Sequence, residues 1–253
     1  MSEALDFNSR TTLETAASDA VNAAVNSALE RKRSLQERRP YLGASAIGDA
    51  CERRAQFDFA GAPREKDIEP KTLRIFDRGH SFEELARAWL MDAGYQITQR
   101  NQRTGELFAF SQMGGRFRGH VDGVIIAGPE TTGYAWPAIW EHKALGAKGY
   151  KEIVRQGLKK ARPGYYAQVQ IYMAYLGLAE NPAMFTITNA DTCEQEHLPV
   201  AFDPQEAQRM SDRAVRIIKA TDAGELLPRP FKDRTHMECK WCPFSERCWR
   251  LTA

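Results

Sequence analysis

The chain has 253 residues, enough for one compact domain with a real core or for one domain carrying an added lobe. Apolar residues make up 43% and charged residues 27%, which excludes wholesale disorder and a membrane-embedded class. The formal net charge is only +2, so any contact with a polyanion must rest on local basic patches rather than a global field.

In chain order, the opening segment MSEALDFNSR lacks the basic-then-apolar layout of a signal peptide. No later apolar run is long enough to span a bilayer. The expectation is a cytoplasmic protein with no membrane partner. Residues 11 to about 38 read as a polar helix, with Leu13, Ala16, Ala17, Val21, Ala24, Val25 and Leu29 at helical spacing. Arg31-Lys32-Arg33 crowd its end, Arg38-Arg39 follow, and Pro40 closes it. Residues 1–41 are therefore read as a helical N-terminal extension and 42–253 as the main domain. The stretch 42–61 contains Cys51, is expected to hold a short helix, and ends in the breaker Gly61-Ala62-Pro63.

Phe82, Leu85, Ala86, Trp89 and Leu90 mark an amphipathic helix over 76–93 that stops at Gly94. Three strand-like runs follow, 107–112, 116–127 and 138–145, separated by Gly114-Gly115 and by Gly128-Pro129 through Gly133. Such short turns predict an antiparallel meander. A basic segment with Lys148, Lys151, Arg155, Lys159, Lys160 and Arg162 leads to a second helix over 165–178, behind the helix-opening Pro163. Strands over 183–189 and 195–202 come next. Pro204 opens a last helix carrying Ala207, Met210, Ala214, Ile217 and Ile218 and ending near Gly224. The order is helix, three strands, helix, strands, helix, an α/β fold without internal repeats.

Two of these strands carry charge where apolar residues are the norm. Val121-Asp122-Gly123-Val124-Ile125-Ile126 puts one carboxylate at the mouth of an apolar strand, and the next strand reads Ile139-Trp140-Glu141-His142-Lys143-Ala144-Leu145. Residues two apart share a strand face, so Glu141 and Lys143 project together while His142 points away and can offer its backbone carbonyl. Two carboxylates and a carbonyl suit a hard cation such as Mg²⁺. A lysine beside them can hold the attacking water and neutralise charge developing on a phosphate, which is the chemistry of phosphodiester hydrolysis. The plain alternative is a turn aspartate and an exposed Glu–Lys pair. Placement argues against it, because charges set into adjacent apolar strands are costly without a site to serve.

Asp122 followed on the next strand by Glu141-His142-Lys143 resembles the D…E-x-K signature of the PD-(D/E)XK nuclease superfamily. The element order is similar to that superfamily's restriction-endonuclease-like core: helix, three-stranded antiparallel meander, helix, further strands. Val121 stands where the family name has proline. Gln168-Val169-Gln170-Ile171-Tyr172 resembles the Q-x-x-x-Y motif of the RecB-like exonuclease branch, with both residues on one helix face. By itself the motif is weak, since Tyr172 could simply face the core. Arg78-Gly79-His80-Ser81-Phe82-Glu83-Glu84 resembles the branch's helix that supplements the metal site. The resemblance implies Asp122, Glu141, the His142 carbonyl, His80 and Glu83 as metal holders, with Glu83 and Glu84 close alternatives. It further implies Lys143 serving the water, Gln168 and Tyr172 in support, Mg²⁺ or Mn²⁺ as cofactor and DNA as partner. Recombination, repair or phage DNA metabolism, with a protein partner in recombination, would be its setting. Beside such a centre the basic segment 148–162 becomes a phosphate-contacting surface; alone it is a solvated helix face. The competing function is a non-catalytic DNA-binding or recombination accessory protein that kept the fold.

The tail is cysteine-rich. Cys239-Lys240-Trp241-Cys242 and Cys248 leave one ligand missing for a four-thiolate site, and Cys51 is the natural fourth. A reducing compartment disfavours disulfides, and spacing does not separate zinc from an iron–sulfur cluster. One distant N-terminal cysteine with a C-terminal C-x2-C-x5-C is similar to the [4Fe–4S] staple of the CRISPR-associated RecB-like exonucleases and of AddB. That resemblance implies a [4Fe–4S] cluster on Cys51, Cys239, Cys242 and Cys248, with zinc as the alternative. Cys193 falls outside the pattern and reads as a free thiol.

Overall fold

The computed structural model describes residues 12–101 and 103–251. The reading of the first ten residues as free of a signal layout, and of Leu13 as part of an apolar face, lies outside the described residues. The chain divides into two compact units. The first takes the residues up to Arg38 together with Ile68–Asp77. It contains α1 (Thr12–Ser34), whose last turn places Arg31, Lys32 and Arg33 where the helix dipole favours cations. Val21 and Val25, spaced as if for a core, are solvent-exposed. The helix is polar nearly all round, so single apolar residues on it need no partner.

The second unit takes Arg39–Asp67 and Arg78–Ala253. It opens with β1 (Leu42–Gly43), α2 (Ala44–Ile47), α3 (Glu52–Ala60) and the part of α4 (Pro70–Asp92) from Arg78 onward. Then come β2 (Gln96–Thr98), β3 (Ala109–Gln112), β4 (Phe117–His120), β5 (Gly123–Ala127) and β6 (Ala138–Leu145). A crossover of α5 (Ala147–Gln156), α6 (Leu158–Ala161) and α7 (Pro163–Leu176) leads to β7 (Ala183–Asn189) and β8 (Gln195–Val200). The chain finishes with α8 (Pro204–Asp222), α9 (Met237–Lys240) and α10 (Ser245–Arg250).

The main sheet has the order β2-β5-β6-β7-β8. Its neighbours are antiparallel except β6 and β7, which run parallel. A parallel pair requires a long crossover, and α5 to α7 supply it. An antiparallel meander is present as β2, β5 and β6, but its first strand is the unforeseen 96–98 rather than 107–112. The run 116–127, which reads as one strand, is two. Its first half, β4, turns aside to pair with β1 and β3 in a separate three-stranded sheet. Gly119 allows this: a Cβ there would lie 2.7 Å from Ala44, Phe110 and Tyr172, so only bare backbone fits.

The break has a second cause. The β5–β6 ladder ends at Gly123 opposite Trp140, and the next backbone N–H in line, that of His142, donates to the Asp122 carboxylate at 2.8 Å. From Glu141 onward β6 keeps β7 on one side and has no β5 partner on the other. The sheet therefore opens at the charged residues.

Helix α7 is apolar all round because it is enclosed, packing against α2, α6, α8, β3 and β6 with Ala167 to Met173 all buried. Ile139, Phe185 and Ile187 meet Ile171, Met173 and Ile217 on that side of the sheet. On the other, Ile125, Trp140 and Met184 receive Ala86 and Leu90 of α4. The basic segment, given no element bounds in the sequence reading, forms α5 and α6 with Gly157 at φ +79° between them. Among the described residues no helix is long and apolar enough to cross a membrane.

The seat of α7 depends on two glycines. A Cβ built on Gly48 would fall 2.5 Å from the Gly164 Cα, where neither backbone can yield. Gly48→Ala is expected to destabilise the protein by about 1–3 kcal/mol through this overpacking. Gly79→Ala, which meets nothing within 4 Å on a helix, is expected to stabilise it by about 0.5–1 kcal/mol. Urea unfolding of both variants checks the pair of signs.

Candidate active site

The opened edge of β6 gathers the charged residues. Glu141 is 1% exposed. Its Oε1 receives the Lys143 ammonium and, at 2.8 Å, the Gln168 amide from α7. Gln168 also donates to the Tyr172 hydroxyl at 3.0 Å. The other carboxylate oxygen, Oε2, is buried and has no hydrogen-bond partner. Asp122 stands at the strand break and accepts from the His142 backbone, with its own carbonyl accepting from Gln99.

Glu83 of α4 joins this group. Burial first, and the Asp122 charge second, push its carboxyl from the ordinary 4.5 to about 7. The same two causes raise Glu141. Burial would strip the proton from Lys143, but the charges of Glu141 and Asp122 outweigh it and hold the ammonium more firmly than usual. The phenol of Tyr172 is raised by burial and then by Glu141. His142 points to the opposite face, where its Nε2 meets the Thr188 hydroxyl at 2.8 Å. Burial pushes that imidazole down to about 3, so it is neutral.

Of the residues singled out in the sequence, Asp122, Glu141, Lys143, Glu83, Gln168 and Tyr172 come together. Glu84 is exposed. The His80 ring is 80% exposed and lies 4.0 Å from the Glu83 carboxylate. Tyr172 is buried against Phe110, and its hydroxyl accepts from Gln168. The sequence reading missed Tyr165, whose ring lies 5.6 Å from the Lys143 ammonium. Its position three residues before Gln168 on one helix was the available signal. In the basic segment Lys148, Lys151 and Arg155 are exposed, whereas Lys159 and Arg162 are paired to Asp203 and Glu152.

A second cluster lies at the tail. Cys51 caps the N-terminus of α3, Cys239 lies in α9, Cys242 in the loop and Cys248 in α10, and all four line one cavity. Burial raises the thiols of Cys51 and Cys239, and takes Cys242 to about 11. All five cysteines are free, and Cys193 sits exposed in a turn outside this cavity. Among the described residues no three His, Cys, Asp or Glu side chains already converge as a ligand set. The donors nevertheless fit. Crowded carboxylates with an orphaned oxygen suit a hard divalent cation, and four thiols lining one cavity suit a thiophilic metal.

The sequence profile of the PD-(D/E)XK nuclease superfamily matches residues 6–249. The chain belongs to that superfamily. Nucleases of the superfamily generally use divalent metals such as Mg²⁺ or Mn²⁺. No curated protein matches the sequence. Among solved structures, the chain is similar to an alkaline exonuclease, LHK-Exo, from Laribacter hongkongensis, at 16% identity and a TM-score of 0.51. The match covers 74% of this chain and 90% of that one. LHK-Exo in complex with dAMP matches at 16% identity and a TM-score of 0.52, with the same coverage of each chain. These likenesses establish a shared fold and agree with the mixed α/β core and helical N-terminal extension.

The carboxylate crowding in this nuclease fold has a measurable consequence. Between about pH 4.5 and 7 folded Glu83 still holds a proton that the unfolded chain has released. Folding then binds more protons than unfolding, so this contribution is full below pH 4.5 and is lost as pH rises through 7. The Tm of metal-free protein is expected to fall between pH 5 and 8. Saturating Mg²⁺ should flatten that decline, as should Glu83→Gln. A pH profile unchanged by either would show that neither burial nor the Asp122 charge raises the Glu83 carboxyl.

Proposed function

We propose that the chain is a metal-dependent DNA exonuclease that hydrolyses phosphodiester bonds at the β6 edge, with residues 42–253 as the nuclease domain and 1–41 as an appended helical extension. The observation that carries this reading is the buried Glu141 carboxylate, held on one oxygen by Lys143 and Gln168 and left with its other oxygen unpartnered beside Asp122 and Glu83. Such an arrangement is costly unless a cation is bound. Asp122, Glu141 and the His142 carbonyl would hold it, with Glu83 and His80 closing the α4 side. A bound Mg²⁺ or Mn²⁺ polarises the scissile phosphate and acidifies the attacking water.

The remaining work falls to the side chains. Lys143 positions the water and balances charge growing on the phosphate. Gln168 fixes the Glu141 carboxylate from the α7 side, and Tyr172 fixes Gln168. The exposed Lys148, Lys151 and Arg155 lie on α5, directly after β6, and guide the phosphate backbone. DNA as substrate and action from ends are supported by the alkaline exonuclease neighbour and its complex with dAMP.

We also propose that Cys51, Cys239, Cys242 and Cys248 hold a metal–thiolate centre, a [4Fe–4S] cluster or zinc. The support is their common cavity and the burial that penalises the free thiolates of Cys51, Cys239 and Cys242. A four-iron cluster requires stoichiometric iron, sulfide and visible absorption in anaerobically purified protein; colourless protein with one zinc requires the other.

The catalytic assignment is tested with end-labelled linear and circular DNA in Mg²⁺ or Mn²⁺. Lys143→Ala and Asp122→Ala should each lower kcat by about 10²–10³-fold with folding intact. Wild-type cleavage of linear but not circular DNA is expected. DNA binding without cleavage under any divalent metal would overturn the enzyme reading, and full activity of Lys143→Ala would overturn the site.

A further inference from the structure

Beside the cysteine cavity lies a charge that the protein leaves unbalanced. Arg53, the second residue of α3, is fully buried. Its Nε donates to the Leu227 carbonyl and its Nη1 approaches the Cys248 sulfur at 3.9 Å. Its Nη2 has no partner. Adjacent Arg54 shows the contrast, since it lines the cavity while paired to Asp49 at 2.6 Å and to Glu238 at 2.9 Å. No described carboxylate forms an ion pair with Arg53. Arg229 repeats the pattern on the cavity wall: it donates to the Leu251 carbonyl and lies over the Trp249 ring, yet its buried Nε has no partner.

A fully buried guanidinium without a counter-charge is strongly disfavoured, so its anion is to be sought beside it. The group it touches is a cysteine sulfur. We propose that Arg53, assisted by Arg229, is the counter-ion of a metal–thiolate centre on Cys51, Cys239, Cys242 and Cys248; this rests on the centre proposed above. Each ligating thiol releases its proton to solvent as its sulfur–metal bond forms. Four thiolates around Zn²⁺ or around a [4Fe–4S]²⁺ core leave a doubly negative centre. Two guanidiniums without a carboxylate partner match that charge, whereas the charge of Arg54, which also reaches Cys51, Cys239 and Cys242, is already offset by Asp49 and Glu238. Arg53 is thus a positioning and charge-balancing residue for the centre. Its hydrogen bond to Leu227 is a separate, metal-independent role.

The two roles separate in a cycle. Full-length wild type, Arg53→Met and Arg53→Lys are prepared metal-free and reloaded in parallel with Zn²⁺ alone and, anaerobically, with iron and sulfide. Metal stoichiometry, retention against a chelator, and Tm with and without metal are read for each. Arg53→Met is expected to lower the metal-free Tm only by the small share that the Leu227 hydrogen bond supplies, to lose about 10–100-fold in metal retention, and to lose most of the metal-induced rise in Tm. Arg53→Lys keeps the charge and should recover most of the retention. Equal loss of Tm with and without metal, at unchanged retention, would overturn the counter-ion role, as would Met and Lys variants that behave alike. Should Arg53→Met fail to accumulate, Arg53→Lys decides alone: retention near wild type supports the role, and a loss of about tenfold or more overturns it. Wild type that takes up neither zinc nor iron removes the centre itself, a result distinct from the others.

Discussion

The structure turns on the buried Glu141 carboxylate. A charge in that position cannot be tolerated as a passive strand residue, because burial and the nearby Asp122 charge both oppose its ionisation. Lys143 and Gln168 satisfy one oxygen only. Everything around it is arranged to present the other: β6 loses its β5 neighbour at that residue, α4 brings Glu83 across, and α7 supplies the amide that fixes the carboxylate. The ion pair with Lys143 accounts for one oxygen of this geometry, and the cation proposed above would account for the other.

The same constraint accounts for the division of 116–127 into two strands. If β5 continued past Gly123, Asp122 would be consumed in a regular ladder opposite Glu141. Instead the Asp122 carboxylate takes the His142 N–H, so a side chain substitutes for the missing strand. The polypeptide before it is free to leave the sheet and to pack, at Gly119, against Tyr172. One broken ladder thus opens the site and seats the helix that lines it.

The elements that sequence made legible were those whose pattern is local. Pro163 and Pro204 mark helix starts, the glycines at 61, 94, 177 and 224 mark stops or turns at positive φ, and the run 183–189 is an interior strand buried along its whole length. Asp122, Glu141 and Lys143 stood out because they interrupt apolar strands, and alternation placed two of them on one face. The break at Asp122 was not foreseen, since neither proline nor paired glycines interrupt 116–127. Nor was β2, too short to show a pattern, while α5 and α6 were read only as a basic helix face without bounds, the break between them falling at Gly157. Arg53 was equally silent, because arginine is the last residue expected at zero exposure. Only the fold shows that it lies against a cysteine from the far end of the chain.

The two clusters are also joined by a short physical path. Cys51 caps α3 three residues after Gly48, and Gly48 packs backbone to backbone on Gly164 at the start of α7. Four residues further on, Gln168 grips Glu141. Asp49 ties the intervening turn down, accepting from the Cys51 backbone and from Arg54, while its carbonyl takes Arg213 of α8. Drawing the four cysteines onto the proposed centre would fix the start of α3, because Cys51 is the candidate ligand that comes from outside the tail. With no side chain at Gly48 or Gly164 to absorb a shift, displacement of α3 passes into α7 as a displacement of backbone. Close packing leaves such a contact little slack. The cysteine centre proposed above would therefore act on the Glu141 carboxylate through the placement of Gln168, and not through its charge.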